Sequence, residues 1–390
     1  MTAAARATAA AGSPLAREQF AVADRFCFLN HAGVAALPRV AVDAMASHAA
    51  TMAECGSLAT TAADDGLDGI RVQAGALLGA PAADVAFVKN TTEGLGFVAN
   101  GLDWRAGDRV VVPDHEFPST LYPWLALRDR GVRVDLVPTA GAGRTVPLDA
   151  FADALAVGPT RVVACSWVQF GRGWRTDLAG LADLCHEHGA LLCADVIQGL
   201  GVLPARLAEW GVDFAMADSH KWLLGPEGIG VLYVAERCRE LLRPLEPGWA
   251  SVRHRQEWDN LDLVYDDSAR RFEGGSFNHV GLRGMSASMA LLLDAGIDAV
   301  WAHVDGLCDR LVDGLGDCGA TVVSDRSIGG RSAIVNFMLD GIYPVDAVDR
   351  LEAAGVICSP RGDGIRVAPH GWNDADDIDA ALAAVSALRS

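Results

Sequence analysis

Lys221 stands out because the chain otherwise avoids lysine. Of its 32 Lys and Arg residues, only Lys89 and Lys221 are lysines. Lys221 sits in FAMADSHKWLLGPEGIG (214–230), between an apolar run and a Gly-Pro turn. Arginine serves equally well for charge, but only an amine adds to a carbonyl, and apolar surroundings that disfavour the ammonium form make that amine a better nucleophile. Asp195 closes the apolar run ALLCAD and lies 26 residues before Lys221, with Gln198 three residues further on. Thr91 and Thr92 follow the run VAFVKN, with Glu93 and Gly94 behind them. Two hydroxyls and free N–H groups at the start of a helix form an anion cradle. Each feature also has a plainer meaning: a Thr cap on a helix, or an Asp in a turn.

Such residues need a frame that gathers distant segments. Apolar, β-branched runs recur as VAFVKN (85–90), DRVVVPD (108–114), VRVDLVP (132–138), RVVACSWV (161–168), ALLCADV (190–196) and GIGVLYVA (228–235). Helix-period segments such as DLAGLADLCHEHG (177–189) lie between most of them. Apolar strands alternating with helices predict an α/β domain around a buried, mostly parallel sheet. Such sheets bind ligands at the carboxyl ends of their strands, where the polar residues above fall. Asp195 and Lys221 are expected one helix and one strand apart. From about residue 285, long helices lead to short strands (SAIVNFML, GIRVAP) and a closing helix (DADDIDAALAAVSAL), a smaller α+β domain. The expected organisation is a flexible N-terminal tail and lead-in over 1–27, a large α/β domain over 28–284 and a small C-terminal domain over 285–390.

Composition narrows the partners. The net charge of −18 disfavours a general nucleic-acid or anionic-membrane surface, so an anionic ligand must be caught by a local device. Nine cysteines without a Cys-x-x-Cys pair do not suit a disulfide framework and point to a reducing compartment. No apolar run approaches the length of a membrane span, the Ala-rich start has no signal-type apolar core, and no metal site is expected. The expectation is a cytoplasmic protein.

An anion cradle, an acid and a desolvated lysine on neighbouring strand ends are together the parts that pyridoxal phosphate requires. ADSHKWLLGPEGIGVLYV also resembles the lysine motif of the class V aminotransferase-like, fold type I pyridoxal-phosphate enzymes, which include cysteine desulfurases, selenocysteine lyases, kynureninases and isopenicillin-N-epimerase-like proteins. The resemblance runs from FLNHAGVAALP (28–38) to IRVAPHGWN (365–373). It implies Lys221 as the Schiff-base residue, Asp195 as partner of the pyridinium nitrogen, and Gln198 as donor to the phenolic oxygen. Thr91, Thr92 and His220 would hold the phosphate. EGGSFN (273–278) matches the segment by which a partner subunit reaches the phosphate, implying a homodimer and a role for Ser276. Arg366 would clamp the substrate's α-carboxylate, a task suited to a planar fork of donors. Asn30 and His31 fall where the N-terminal segment borders the site, although Asn30 also suits a turn.

The departures from the family pattern narrow the reaction. Aligning DHEFPSTLYPW (114–124) on Pro123-Trp124 puts Phe117 where desulfurases stack a histidine, with His115 two residues earlier. Phenylalanine stacks but moves no proton. Cys358 lies eight residues before Arg366 at a strand end, a place for a packed residue rather than a mobile thiolate. Asp218 replaces a small hydroxyl residue, leaving Ser219 or backbone to serve the phosphate. Trp167, Trp174, Trp222, Trp249 and Trp372 lie near these motifs, as pocket walls or as core. The expected activity is α-proton abstraction from an amino acid followed by β-elimination of a sulfur group. Transamination, epimerisation and a non-catalytic binding role are the alternatives.

Overall fold

Seven strands build the sheet that organises the chain, and their sequence explains why it is buried. The described residues are 12–59 and 66–389 of a computed structural model. In chain order they form β1 (Cys27–Phe28), β2 (Val85–Val88), β3 (Arg109–Pro113), β4 (Arg133–Val137), β5 (Val162–Ser166), β6 (Leu191–Asp195), β7 (Phe214–Asp218), β8 (Gly230–Val234), β9 (Thr321–Val322), β10 (Val335–Met338), β11 (Val356–Ile357), β12 (Ser359–Arg361) and β13 (Gly364–Val367). The large sheet has the order β2-β8-β7-β6-β5-β3-β4. β8 alone runs against its neighbours; the others are parallel, with helices between most of them. β2, β3, β5, β7 and β8 are buried at every position. The edge strand β4 instead carries Arg133 and Asp135 and is partly exposed, as an edge that must not recruit another strand requires.

The link between β6 and β7 differs from expectation. Residues 196–213 form turns and no helix. Gly199, Gly201 and Pro204 break any helical period there, and the link instead passes close under the lysine turn. At Gly201 (φ +104°) a Cβ would sit 2.3 Å from the Trp222 carbonyl oxygen, so glycine is required. β6 and β7 still pair as neighbours, with Asp195 opposite Met216.

A second, antiparallel sheet has the order β12-β13-β10-β9. β1 pairs in parallel with β11, which ties the start of the chain to its C-terminal part. Of the expected flexible tail, residues 1–11 lie outside the described residues. The remainder is packed: Leu15 and Phe20 are buried, Leu15 donates to Gly371 O at 3.1 Å, and Phe20 stacks on Trp372 at 4.9 Å between centroids. These apolar side chains join the core around Trp372, so the segment is ordered by burial. The helix His279–Ala295 runs through the boundary expected at 285 and packs against Arg39–Cys55. Gly296 (φ +79°) then breaks it from Ile297–Asp317 at an 80° bend. No single helix among the described residues is long and apolar enough to cross a membrane.

The packed lead-in gives the first prediction. Phe20→Ala removes a buried ring and should lower stability by about 3–5 kcal/mol, read as an earlier midpoint in urea denaturation. An unchanged midpoint would mean that the segment contributes nothing.

Candidate active site

The lysine turn is clasped from three sides. Ser219 N–H donates to Ile229 O (3.0 Å), and Gly225 N–H donates to Ser219 O (2.8 Å). Ala35 N–H from the N-terminal segment donates to His220 O (2.8 Å), and His370 Nε2 lies 3.0 Å from Trp222 O. Leu224 sits at φ +57°, a conformation disfavoured for a branched side chain. Such a conformation persists only where the surroundings over-determine it. The outcome is that Lys221 faces a cavity of about 420 Å³ at the carboxyl ends of β2, β5, β6 and β7.

Eight sequence-predicted residues line this cavity: Lys221, Asp195, Thr91, Thr92, Phe117, Gln198, His220 and Arg366. Burial pushes the Lys221 amine down to about 8; Arg366 and Arg361 push the same way, while Asp195 and Asp218 oppose them. Burial likewise raises the Asp195 carboxyl, against the Ile197 N–H, the Lys221 charge and the Thr120 hydroxyl. Asp195 accepts from Thr120 Oγ1 at 2.9 Å and from Ile197 N–H at 3.0 Å. The Phe117 ring centroid lies 5.6 Å from Lys221 Nζ, and Phe117 meets Phe170 edge-on at 5.3 Å. Gln198 is locked. Its oxygen accepts from Trp222 Nε1 (2.9 Å) and its Nε2 donates to Ala32 O (3.0 Å), so one N–H remains.

At the helix Thr91–Gly101 the capping question is decided. Asn90 is the cap, accepting from Glu93 N–H at 2.8 Å. The threonine hydroxyls are therefore released for other work. Thr91 Oγ1 accepts from Asp218 N–H (3.0 Å), which leaves its own proton free to donate, and Thr92 Oγ1 donates to Ser119 Oγ (2.8 Å). His220 Nδ1 lies 3.0 Å from Asp218 Oδ1. Arg366 is 1% exposed; its Nη1 donates to Phe170 O (2.7 Å) and its Nε has no partner. Burial, with Arg361 adding, holds its guanidinium down at about 9.

Three predicted residues do not border the cavity. Asn30 stands behind it, its Oδ1 accepting from Ser359 Oγ (2.9 Å) and from Arg366 Nη2 (3.4 Å). His31 points the other way, into a core of Phe28, Trp222, His370 and Trp372. There its Nδ1 meets Ala368 O at 2.8 Å, and burial holds its basicity well below the ordinary range. Ser276 (φ +49°) borders a separate cavity with Lys89, Gly228 and Asn278. Its segment is anchored by Glu273, buried against Arg71 (2.7 Å) and Phe87 N–H (2.7 Å). None of the five tryptophans lines the cavity, and Trp167, Trp222 and Trp372 are core.

Sequence reasoning missed Thr120, Glu116 and Arg361. Thr120 was recoverable, being three residues beyond Phe117 on a helix opened by Pro118. Glu116 is half-buried and accepts from Ser166 N–H at 2.7 Å, and desolvation pushes its carboxyl up to about 7. Nothing in the local sequence announces that burial. Arg361 shares a short hairpin with Arg366.

The comparisons with known proteins agree with this geometry. A family model described as aminotransferase class-V matches residues 27–370. The chain belongs to the class V aminotransferase family. A probable cysteine desulfurase of Methanothermobacter thermautotrophicus is 31% identical over 298 residues, covering 75% of this chain and 72% of that protein. An uncharacterised aminotransferase of Bacillus subtilis, YcbU, is 27% identical, with 80% of each chain covered. Among solved structures, the apo cysteine desulfurase of Thermococcus onnurineus superposes with a TM-score of 0.86 at 21% identity, covering 95% and 96% of the two chains. The cystine C–S lyase C-DES, in complex with cysteine persulfide, does so with 0.86 at 23%, covering 93% and 97%. They share its fold, the α/β fold type I architecture. As a class V member, this chain is a pyridoxal 5′-phosphate-dependent enzyme. Its cavity fits that cofactor, with a desolvated amine, a buried carboxylate, and a helix N-terminus whose threonine hydroxyl still has a proton to give.

With only two lysines, the amine is directly measurable. Competitive acetylation of the cofactor-free protein should give Lys221 a midpoint near 8. Lys89, held by Glu93, should titrate above the ordinary lysine value. A Lys221 midpoint at that ordinary value would refute its desolvation.

Proposed function

We propose that this enzyme is a C–S lyase that removes the α-proton of a cysteine-derived amino acid and expels its β-sulfur substituent. The observation that carries the reading is the company Lys221 and Arg366 keep. None of the nine cysteines borders their cavity. Cys358, eight residues before Arg366, is buried, and burial pushes its thiol up to about 12. A desulfurase-type attack needs a thiolate at the substrate sulfur; elimination needs only a base. The names of the relatives, cysteine desulfurase and cystine C–S lyase, favour chemistry at a cysteine β-carbon.

In this reading Lys221 holds the cofactor until substrate takes its place, and then acts as the base. Thr91, Thr92 and His220 hold the phosphate, Asp195 pairs with the ring nitrogen, the remaining N–H of Gln198 meets the phenolic oxygen, and Phe117 covers the ring. Thr120 and Ile197 fix the carboxylate of Asp195. When bound, pyridoxal phosphate withdraws electron density from the substrate's α-carbon and so acidifies its proton. Arg366 clamps the α-carboxylate, and Asn30 steadies Arg366 from behind. Lys221 takes the α-proton, the Cβ–S bond breaks with its electron pair on sulfur, and the sulfur leaves as a thiol. One water completes the balance, giving a keto acid and ammonia.

The active form is proposed to be a homodimer in which Ser276 serves the neighbouring site. Two observations favour this. Ser276 borders a cavity other than that of its own Lys221, and the stretch before it exposes Trp258, Leu261, Leu263 and Val264, apolar side chains that a partner subunit would cover.

Holoenzyme given cysteine S-conjugates should release keto acid and thiol in equal amounts, and Lys221→Ala should lose at least about a thousandfold in kcat. Full activity in that variant, or conversion of the cofactor to its amine form without thiol release, would sink the lyase reading. Light scattering should give a dimer mass, and Ser276→Ala should weaken cofactor affinity; an active monomer would dismiss the shared site.

A further inference from the structure

The cavity contains a cation that the reading above leaves without a task. Arg361 lines the same wall as Arg366. Both lie on the hairpin of β12 and β13, where Ser359 pairs with Arg366 and Arg361 pairs with Gly364. Residues directly opposed in an antiparallel pair project to one face, and so do residues two apart along a strand. Arg361 and Arg366 therefore share a face, offset by two strand residues, about 7 Å.

Neither arginine pairs with a carboxylate among the described residues. Arg366 is buried and Arg361 half-buried, whereas the buried Arg71, Arg109, Arg239 and Arg271 each face a carboxylate, from Glu273, Asp135, Asp84 and Glu240 respectively. Among the described residues no carboxylate pairs with Arg361, whose Nη1 donates only to the neighbouring Pro360 O at 2.8 Å. The acid at the hairpin tip, Asp363, is taken by Arg172. Burial holds the Arg361 guanidinium below its ordinary range. In a protein of net charge −18, acids are plentiful, so a half-buried guanidinium that lines a cavity without one is placed to take an anion from a ligand. The cofactor phosphate is assigned to the Thr91 side and the α-carboxylate to Arg366. One anion is still missing.

We propose that Arg361 forms a second anion subsite, which selects cysteine S-conjugates carrying a carboxylate or similar acid just beyond the sulfur. This rests on the lyase reading and on Arg366 as the α-carboxylate clamp. The offset of about 7 Å along the hairpin suits a substrate that spans both arginines from its α-carboxylate to its side-chain acid. A leaving group anchored at Arg361 also keeps the Cβ–S bond in a fixed direction relative to Lys221.

The test is a matched pair given to the holoenzyme, S-carboxymethyl-L-cysteine and its neutral isostere S-carbamoylmethyl-L-cysteine. Keto acid release gives kcat and KM, and the absorbance change of the bound cofactor gives Kd for each. The parent enzyme should prefer the acid by roughly tenfold or more in kcat/KM. That preference should fall towards unity in Arg361→Gln through the KM and Kd of the acid, and be partly kept in Arg361→Lys. Rising salt should erode it in the parent enzyme, a readout that needs no variant. Equal handling of the two conjugates by the parent, or the same ratio in Arg361→Gln, would overturn the subsite. If neither conjugate yields keto acid or a spectral change in the parent, the lyase reading falls, and the subsite falls with it. A preference for the acid lost only in Arg366 variants would assign selection to Arg366 and refute a role for Arg361.

Discussion

Parallel pairing of β6 with β7 is the constraint on which the rest of the structure depends. It sets Asp195 against Met216, so a buried carboxylate and the turn carrying Lys221 emerge side by side from one sheet edge. A slip of one residue would turn both strands' side chains to the wrong faces. β2 and β5 deliver Thr91 and Ser166 to that edge because they run the same way. The antiparallel sheet adds Arg361 and Arg366, and the packed N-terminal segment adds Ala32 to Val34. The site is therefore a meeting of distant parts of the chain.

Desolvation gives that meeting its chemistry. Burial does most to depress the charged forms of Lys221 and Arg366, with Arg366 and Arg361 adding at Lys221 and Arg361 adding at Arg366. Asp195 is pushed the opposite way and is steadied by one hydroxyl and one backbone N–H. An amine near 8 is mostly protonated at neutral pH but close enough to exchange its proton readily. Such an arrangement costs stability, as does Leu224 at a left-handed φ beside the lysine. The surrounding core absorbs this cost: Trp222, Trp372 and Phe214 are fully buried.

Much of this was legible in the chain. The apolar runs named their own strands, because a strand buried on both faces admits little else. The lysine betrayed itself by composition, in a chain that uses arginine wherever charge alone is wanted. Other features were closed to local reading. Whether Asn90 or Thr91 caps the helix depends on a backbone angle, and the answer decides whether the threonine hydroxyls are free. Asn30 and His31 are adjacent, yet one supports Arg366 while the other enters an aromatic core, because the chain leaves its bridge at Asn30 and turns at His31. The helix expected after Asp195 gave way to turns because Gly201 had to approach the Trp222 carbonyl.

The sequence by itself determined the class of fold, most strands of its large sheet, the candidacy of Lys221 and Asp195, and the absence of a Cys-x-x-Cys device. These follow from residue type and period, which are local properties. The tertiary structure alone decided which cations go unpaired. Arg361 is one arginine among thirty until β12 and β13 pair and Arg172 takes Asp363. Burial, pairing and shared faces are relations between segments far apart in the chain, and no window of sequence contains them.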